Sequence, residues 1–345
     1  MSEDLRRRPA TDPLAIYRYR DGLYAVDLIT AAIVHLDFVS WLAEHPSTLA
    51  DICGHFGLVE RPADVLVTLF AANGWIERRA DGTCAVTPVA CEFLSAASSW
   101  SLVPYYASLA DRPLVADFLS VLRTGRPAGW SSRSDGFDWH KAMEQEAFAR
   151  EFTAAMDCRG RYLAQAVAAA VPFGDRERLL DIGGGSGIYA CSIAAHHPHL
   201  SAAVFDQPPV DQLAARLIAE RGLSDRVTVH AGNFLDDDWP RGYDVHLFSN
   251  VLHDWDAPDV AMLLERSFAA LEPGGLVAIH DAFINADKTG PLAVAEYSAI
   301  LMHSTQGKCY ATSEYETLLA AAGFVEPVFR ETVADRGVMV ARKHA

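Results

Sequence analysis

The octapeptide SNVLHDWD at residues 249–256 sets one imidazole, His253, behind an apolar run and beside two carboxylates, Asp254 and Asp256. Imidazole titrates near neutrality, so His253 is a candidate general base, a metal ligand together with Asp254, or the polar edge of a helix start. At a helix start, Asp254 and Asp256 would complement the helix dipole, and for Asp256 that is the favoured reading. Upstream, DIGGGSG carries glycines at 183, 185 and 187; Ile188 stands where the GxGxxG of nicotinamide enzymes would be completed. Asp181 lies two residues before the first glycine, where a carboxylate can meet an ammonium group. Asp206 ends the next expected strand, where a carboxylate can take both hydroxyls of a ribose. A cofactor with an ammonium, a ribose and no phosphate fits S-adenosylmethionine. The loop has no Lys-Ser/Thr pair for a nucleoside triphosphate, and no basic residue beside Asp206 for a 2′-phosphate.

These residues need a scaffold that brings strand ends together. From Arg178 onward, short apolar strands alternate with helices: RLLDIG, SAAVFD, RVTVHAG, YDVHLFSNVL and LVAIHDA, then VEPVFRE and RGVMVARK at the end. Repeated βα units mean a parallel sheet covered on both faces, with ligands beyond the carboxyl ends of its strands. Residues 14–45 show helical periodicity. STLADICGHFGLVERPADVLVTLFAANGW reads as helix, turn at Gly57, helix and turn at Gly74; two strands then meet at Asp81-Gly82, a hairpin signal. That is a winged-helix pattern. Between Ser47 and Leu94, six carboxylates face three arginines, a net of −3 that lacks the footprint of phosphate contact. Dimerisation or substrate capping is the expected role, ahead of a DNA-binding regulator. The domain organisation expected is therefore 1–99 (helical, winged-helix), 100–170 (helical linker contributing to the substrate pocket, with a long loop at 123–139) and 171–345 (Rossmann-like catalytic domain).

The chain has 345 residues, half of them apolar, and a net charge of −16, which repels phosphate backbones and anionic lipid. No run of eighteen apolar residues marks a membrane span, and MSEDLRRRPATDP lacks the apolar core of a signal peptide. Six cysteines without a CxxC pair suit a reduced cytosol, so a cytoplasmic protein is expected, with no nucleic-acid or membrane partner.

Taken together, DIGGGSG, the FD of Asp206, AGNF at 231–234, LHDWD and LEPGG resemble the class I S-adenosylmethionine-dependent methyltransferases. More narrowly, nearly the whole chain is similar to the caffeic-acid-type O-methyltransferase family in its bacterial secondary-metabolism branch. The resemblance implies a Rossmann-like methyltransferase domain, a parallel sheet with an antiparallel last strand, and a mostly helical N-terminal domain through which homodimers form. It places Gly183 and Gly185 beside the methionine part, Asp206 on the ribose, and Asn233 and Phe234 around the adenine. Asn233 departs from the Asp usual there, yet its side-chain oxygen still accepts a hydrogen bond. By the same resemblance His253 is the general base that takes a proton from a hydroxyl or enol, and Asp281 orients it. The family's Gly-Lys-Glu-Arg-Thr signature appears here as Gly307-Lys308-Cys309-Tyr310, without the helper Glu.

His253, Asp254 and His303 remain as two imidazoles and a carboxylate, the donor set of an iron or zinc site with open positions. A related group, the 2-oxo acid C-methyltransferases, resembles this arrangement, so metal-assisted C-methylation of a 2-oxo acid stands as the alternative. A non-methylating enzyme on the same scaffold is a further one. Arg159 can anchor a substrate carboxylate, and Met156 and Met302 can wall an apolar pocket, as can aromatics such as Trp100, Tyr105, Trp130, Phe137, Trp139 and Tyr297. His35, inside an apolar helical stripe, is expected to be a satisfied core histidine.

Overall fold

A computed structural model describes residues 4–128 and 142–344. Most of the expected loop at 123–139 falls outside these residues, as do Trp130, Phe137 and Trp139. Two compact units form: Met1–Leu14 with Asp138–Ala282 and Glu314–Ala345, and Ala15–Phe137 with Phe283–Ser313.

The second unit is helical. Helices α1 (Leu14–Asp21) and α2 (Ala25–Thr30) lead into a π-helical turn at Ala31–His35 and then α3 (Phe38–Glu44). The π turn interrupts the apolar stripe, and His35 stands exposed with Nε2 3.2 Å from the Ala110 carbonyl, not in the core. Thr48 and Asp51 form a capping box at α4 (Leu49–Phe56), and Gly57, with φ 64°, closes it in the left-handed conformation. Then come α5 (Glu60–Ala72), the antiparallel pair β1 (Ile76–Arg78) and β2 (Cys84–Val86), α6 (Pro88–Leu94), α7 (Val103–Ala107) and α8 (Pro113–Thr124). The helix–turn–helix and hairpin are the expected winged-helix pattern.

The first unit contains α9 (Glu146–Ala170), followed by β3 (Arg178–Ile182), α10 (Ile188–His196), β4 (Ser201–Asp206), α11 (Val210–Glu220), β5 (Val227–Ala231) and β6 (Val245–Ser249). After a 3₁₀ turn at Leu252–Asp254 come α12 (Ala257–Ala270) and β7 (Leu276–Asp281). Asp256 is the N-cap of α12, its carboxylate accepting the Asp259 N–H at 3.1 Å, which is the helix-start role expected of it. Helix α13 (Leu292–Ser304) belongs to the helical unit; α14 (Thr312–Ala321), β8 (Val325–Glu331) and β9 (Gly337–Arg342) complete the chain.

The seven-stranded sheet has the order β5-β4-β3-β6-β7-β9-β8, parallel except for β9, which runs antiparallel to both neighbours. Strand β6 is buried along its whole length, as a strand covered on both faces should be. The connection after β3 leads to β4, and the one after β6 leads away to β7. Adjacent β3 and β6 thus form the switch point where such sheets bind ligands.

Segment 283–313 is fastened to α5 by charge. Asp64, itself buried, accepts from Lys308 Nζ at 2.6 Å and Lys288 Nζ at 2.9 Å. Burial alone would raise the Asp64 pKa, but the two ammonium groups outweigh it and hold the carboxyl down at about 2. Arg61 also donates to the carbonyls of Gly307 and Gly125, each at 2.7 Å.

Candidate active site

The turn after β3 is built around Asp181 and its glycines. Asp181 is fully buried; its Oδ2 accepts the Ala190 N–H at 3.3 Å, while Oδ1 has no hydrogen-bond partner among the described residues. Burial pushes its pKa up to about 7, and the nearby charge of Asp206 adds to the rise. An unpaired acceptor in such a place suits an incoming ammonium. Gly183 (φ 65°) donates its N–H to the Phe205 carbonyl at 2.9 Å, locking the turn to β4. At Gly185, φ is 57° and an added Cβ would meet nothing within 4 Å. The left-handed backbone strains any side chain there, and glycine leaves a cradle for a ligand.

Asp206 is reached across the loop: its Oδ2 accepts the Gly185 N–H at 2.9 Å and its Oδ1 the Gln207 N–H at 2.8 Å. Both oxygens keep a second lone pair for ribose hydroxyls, and burial raises this carboxyl to about 6. After β5, Asn233 Oδ1 accepts the Leu235 N–H at 3.0 Å and Nδ2 donates to Asp236 at 3.0 Å, so one lone pair of Oδ1 is left for an adenine amine. Phe234 meets Trp255 edge to face at 6.0 Å, an apolar wall suited to a base. Trp255 is a site residue that the sequence reading missed. These features fit S-adenosylmethionine.

The second half lies beyond β6 and β7, whose parallel register (Ser249 opposite His280) sets Asp281 beside the HDW turn. His253 is 3% exposed, and its Nδ1 makes a short hydrogen bond with Asp281 Oδ1. Its Nε2 lies 3.7 Å from Asp254 Oδ1. Burial alone would lower the His253 pKa, but the carboxylates of Asp281 and Asp254 and the hydrogen bond raise it above the usual value. Asp281 is held below its usual value: burial opposes this, but the His253 charge and hydrogen bond, the Ala282 N–H and Arg336 outweigh it. Tyr315, from α14, donates to Asp281 Oδ2 at 3.4 Å. The arrangement is an imidazole whose Nδ1 is committed to a carboxylate, a geometry for proton acceptance at Nε2.

The sequence matches the family model described as an O-methyltransferase domain over residues 119–325. The chain belongs to this O-methyltransferase family. It is 31% identical over 311 residues to a 3-hydroxy-5-methyl-1-naphthoate 3-O-methyltransferase of Streptomyces sahachiroi, covering 88% of this chain and 87% of that one. An L-tyrosine C(3)-methyltransferase of Streptomyces lavendulae is 28% identical, covering 93% of this chain and 90% of its own. Among solved structures, an O-methyltransferase family 2 protein from Planctomyces limnophilus in complex with apigenin superposes with a TM-score of 0.88, at 31% identity and 99% coverage of both chains. The protein is accordingly an S-adenosylmethionine-dependent methyltransferase.

The remaining candidates of this methyltransferase divide between the units. Met156 and Arg159 lie on α9, where the Arg159 charge acts on Asp254 and His253. Met302 and His303 lie on α13 in the helical unit, both buried. The His303 ring packs edge-on against Tyr24 at 5.1 Å and Phe118 at 5.2 Å, with Nε2 3.4 Å from Asp117 Oδ2. Burial lowers its pKa, which marks a neutral ring in an aromatic cage. Among the described residues, no three His, Cys, Asp or Glu are gathered where they could hold a metal ion. Of the expected set, His253 and Asp254 belong to the first unit and His303 to the helical one. Trp100 and Tyr105 are exposed, at 66% and 78%, while Tyr297 is buried.

Sequence reasoning also missed a neutral network behind the HDW turn. Asn250, with φ 54°, donates from Nδ2 to the Tyr189 hydroxyl at 3.0 Å and lies 3.5 Å from His280 Nδ1. Burial drives His280 down to about 3, so its ring stays uncharged beside the base.

Proposed function

We propose that this methyltransferase methylates a phenolic or enolic hydroxyl of a small aromatic acceptor in specialised metabolism, with His253 as general base. The observation that carries the reading is the buried His253–Asp281 pair beyond the ends of β6 and β7. When bound, S-adenosylmethionine supplies a methyl group on a cationic sulfur, open to direct displacement. Asp181 holds its ammonium, Gly183 and Gly185 make room for its methionine part, Asp206 takes the ribose hydroxyls, and Asn233 and Phe234 border the adenine. A phenol is mostly protonated at neutral pH, so its oxygen is a poor nucleophile until a base removes the proton. Asp281 keeps the His253 Nδ1 as donor, and Nε2 accepts the hydroxyl proton as the oxygen–carbon bond forms. The carboxylates of Asp281 and Asp254 then stabilise the imidazolium. Arg159 and Met156 orient the acceptor from α9.

The relative that methylates a naphthoate hydroxyl and the solved structure holding apigenin support an aromatic hydroxyl acceptor. Metal-assisted C-methylation would need His303 as a ligand beside His253, whereas the His303 ring is packed edge-on by Tyr24 and Phe118 and its Nε2 faces Asp117. The test is incubation with S-adenosylmethionine and either apigenin or 3-hydroxy-1-naphthoate, with NMR of the product. O-methyl signals are expected; a new carbon–methyl bond, or activity abolished by a chelator, would overturn the reading.

A homodimer formed through the helical unit belongs to the same proposal. Ile16 and Tyr19 on α1, Leu23 in the turn after it and Val26 on α2 are 74%, 86%, 55% and 36% exposed, an apolar surface that a second copy would cover. Light scattering should give twice the monomer mass, and Tyr19→Glu should shift it toward the monomer. A cytoplasmic site of action is part of the proposal too, because all six cysteines are free thiols, the state a reducing compartment maintains. Among the described residues, no single helix is long and apolar enough to cross a membrane.

A further inference from the structure

The glycine loop is held from a direction that none of its own residues provides. Arg221, the residue that ends α11, is 7% exposed, and its Nη1 donates to the Ser186 carbonyl at 2.9 Å. Its Nη2 makes a short ion pair with Asp157 on α9, also 7% exposed. The other Asp157 oxygen faces Arg161 Nε at 3.4 Å. On the far side of the same peptide, the Gly187 N–H donates to the Gly184 carbonyl at 2.9 Å. Both polar ends of the Ser186–Gly187 peptide are thus fixed, one by the loop itself and one by the guanidinium. That peptide is the hinge between the cradle at Gly185 and the first turn of α10. Helix α9 also touches α10 directly: a Cβ on Gly160 would lie 2.4 Å from Ile188 Cγ2, so only glycine permits the approach.

A buried ion pair is a weak way to add stability, because desolvation cancels most of the attraction. A guanidinium can instead use its planar fork to fix two acceptors at a set angle, which an ammonium cannot do. Here the two acceptors are a carboxylate on the helix that carries Met156 and Arg159 and a carbonyl of the cofactor loop. We infer that Asp157 and Arg221 are positioning residues: they set the glycine loop for the cofactor from α9, so that cofactor affinity depends on a carboxylate that acts on the loop through the guanidinium. The inference rests on the reading of this loop as the seat of S-adenosylmethionine.

The test measures S-adenosylhomocysteine binding to the full chain by titration calorimetry, with thermal melting as the folding control. Variants are Arg221→Lys, which keeps the charge but loses the fork, Asp157→Asn, which is isosteric, and the pair combined. Arg221→Lys is expected to raise the Kd about tenfold and Asp157→Asn about fivefold. The double variant should be no worse than Arg221→Lys, because both act through one contact. A merely structural pair would lower the melting temperature and leave the Kd within twofold of wild type in each folded variant, which would overturn the inference. If Arg221→Lys does not fold, Asp157→Asn alone decides by the same threshold. Failure of the wild-type chain to bind S-adenosylhomocysteine would overturn the cofactor reading itself, and this inference with it.

Discussion

Replacing Asp181 by Asn should weaken cofactor binding and remove most of its pH dependence, leaving the smaller part that Asp206 contributes near pH 6. The wild-type carboxyl is fully buried, has one oxygen without a partner among the described residues, and titrates at about 7. An ammonium binds the ionised form, so binding near neutrality must expel a proton from the fraction still protonated. With a free-state pKa of about 7, half of the molecules release a proton at pH 7. At pH 6 only about one in eleven is ready, so the apparent Kd rises roughly tenfold between pH 8 and pH 6. The sign follows from a raised carboxylate pKa: ionisation, and with it affinity, is gained as pH climbs through that value. The Asp181→Asn change would abolish the charge-assisted hydrogen bond, worth about 1.5–3 kcal/mol, or roughly ten- to 150-fold in Kd. Calorimetry with S-adenosylhomocysteine in buffers of different ionisation enthalpy reads both the affinity and the proton count. No proton release at pH 7, or a flat wild-type affinity between pH 6 and 8, would refute the assignment.

Gly185→Ala should fold with a penalty of about 1 kcal/mol, because the left-handed φ is strained for alanine while its Cβ meets nothing; the same variant should lose S-adenosylhomocysteine binding. Gly160→Ala drives a methyl to 2.4 Å from Ile188 Cγ2 and should lower stability by about 1–3 kcal/mol in urea unfolding. Asp64, depressed to about 2 against 3.8 unfolded, contributes about 2 kcal/mol that is present above pH 4 and lost as pH falls toward 2; Asp64→Asn should remove that part of the acid dependence. Asp281→Asn leaves His253 without its carboxylate, so kcat should fall by about 10²-fold or more while the cofactor Kd stays unchanged.

Local chemistry made part of the site legible. DIGGGSG and the carboxylate of Asp206 stand out because a tight turn between an apolar strand and a helix admits few residue types, and the strands themselves read as short apolar runs. Asp256 was recognisable as a cap from its place before an apolar helix. The pairing of His253 with Asp281 is different: 28 residues separate them, and only the parallel register of β6 and β7 makes them neighbours. Resemblance supplied that link, not spacing. The environment of His303 depends on Tyr24 and Phe118, far away in the chain, so periodicity could not distinguish a caged ring from a ligand. Asp157, Arg221, Arg336 and Tyr315 look in sequence like ordinary solvated or core positions. Their roles arise only when α9, α11, α14 and the β8–β9 turn fold together.

The central claim, proton removal by His253, is tested most directly by the single-turnover rate of methyl transfer to apigenin between pH 5 and 10 in wild-type and His253→Gln protein. The wild-type rate should rise through an apparent pKa above 6.5, the direction in which Asp281 and Asp254 shift the imidazole, and then level off. The variant should be slower by about 10²–10⁴-fold near neutrality, its rate climbing only as the phenol itself ionises. A variant that keeps both the wild-type rate and the wild-type acid limb would contradict the account.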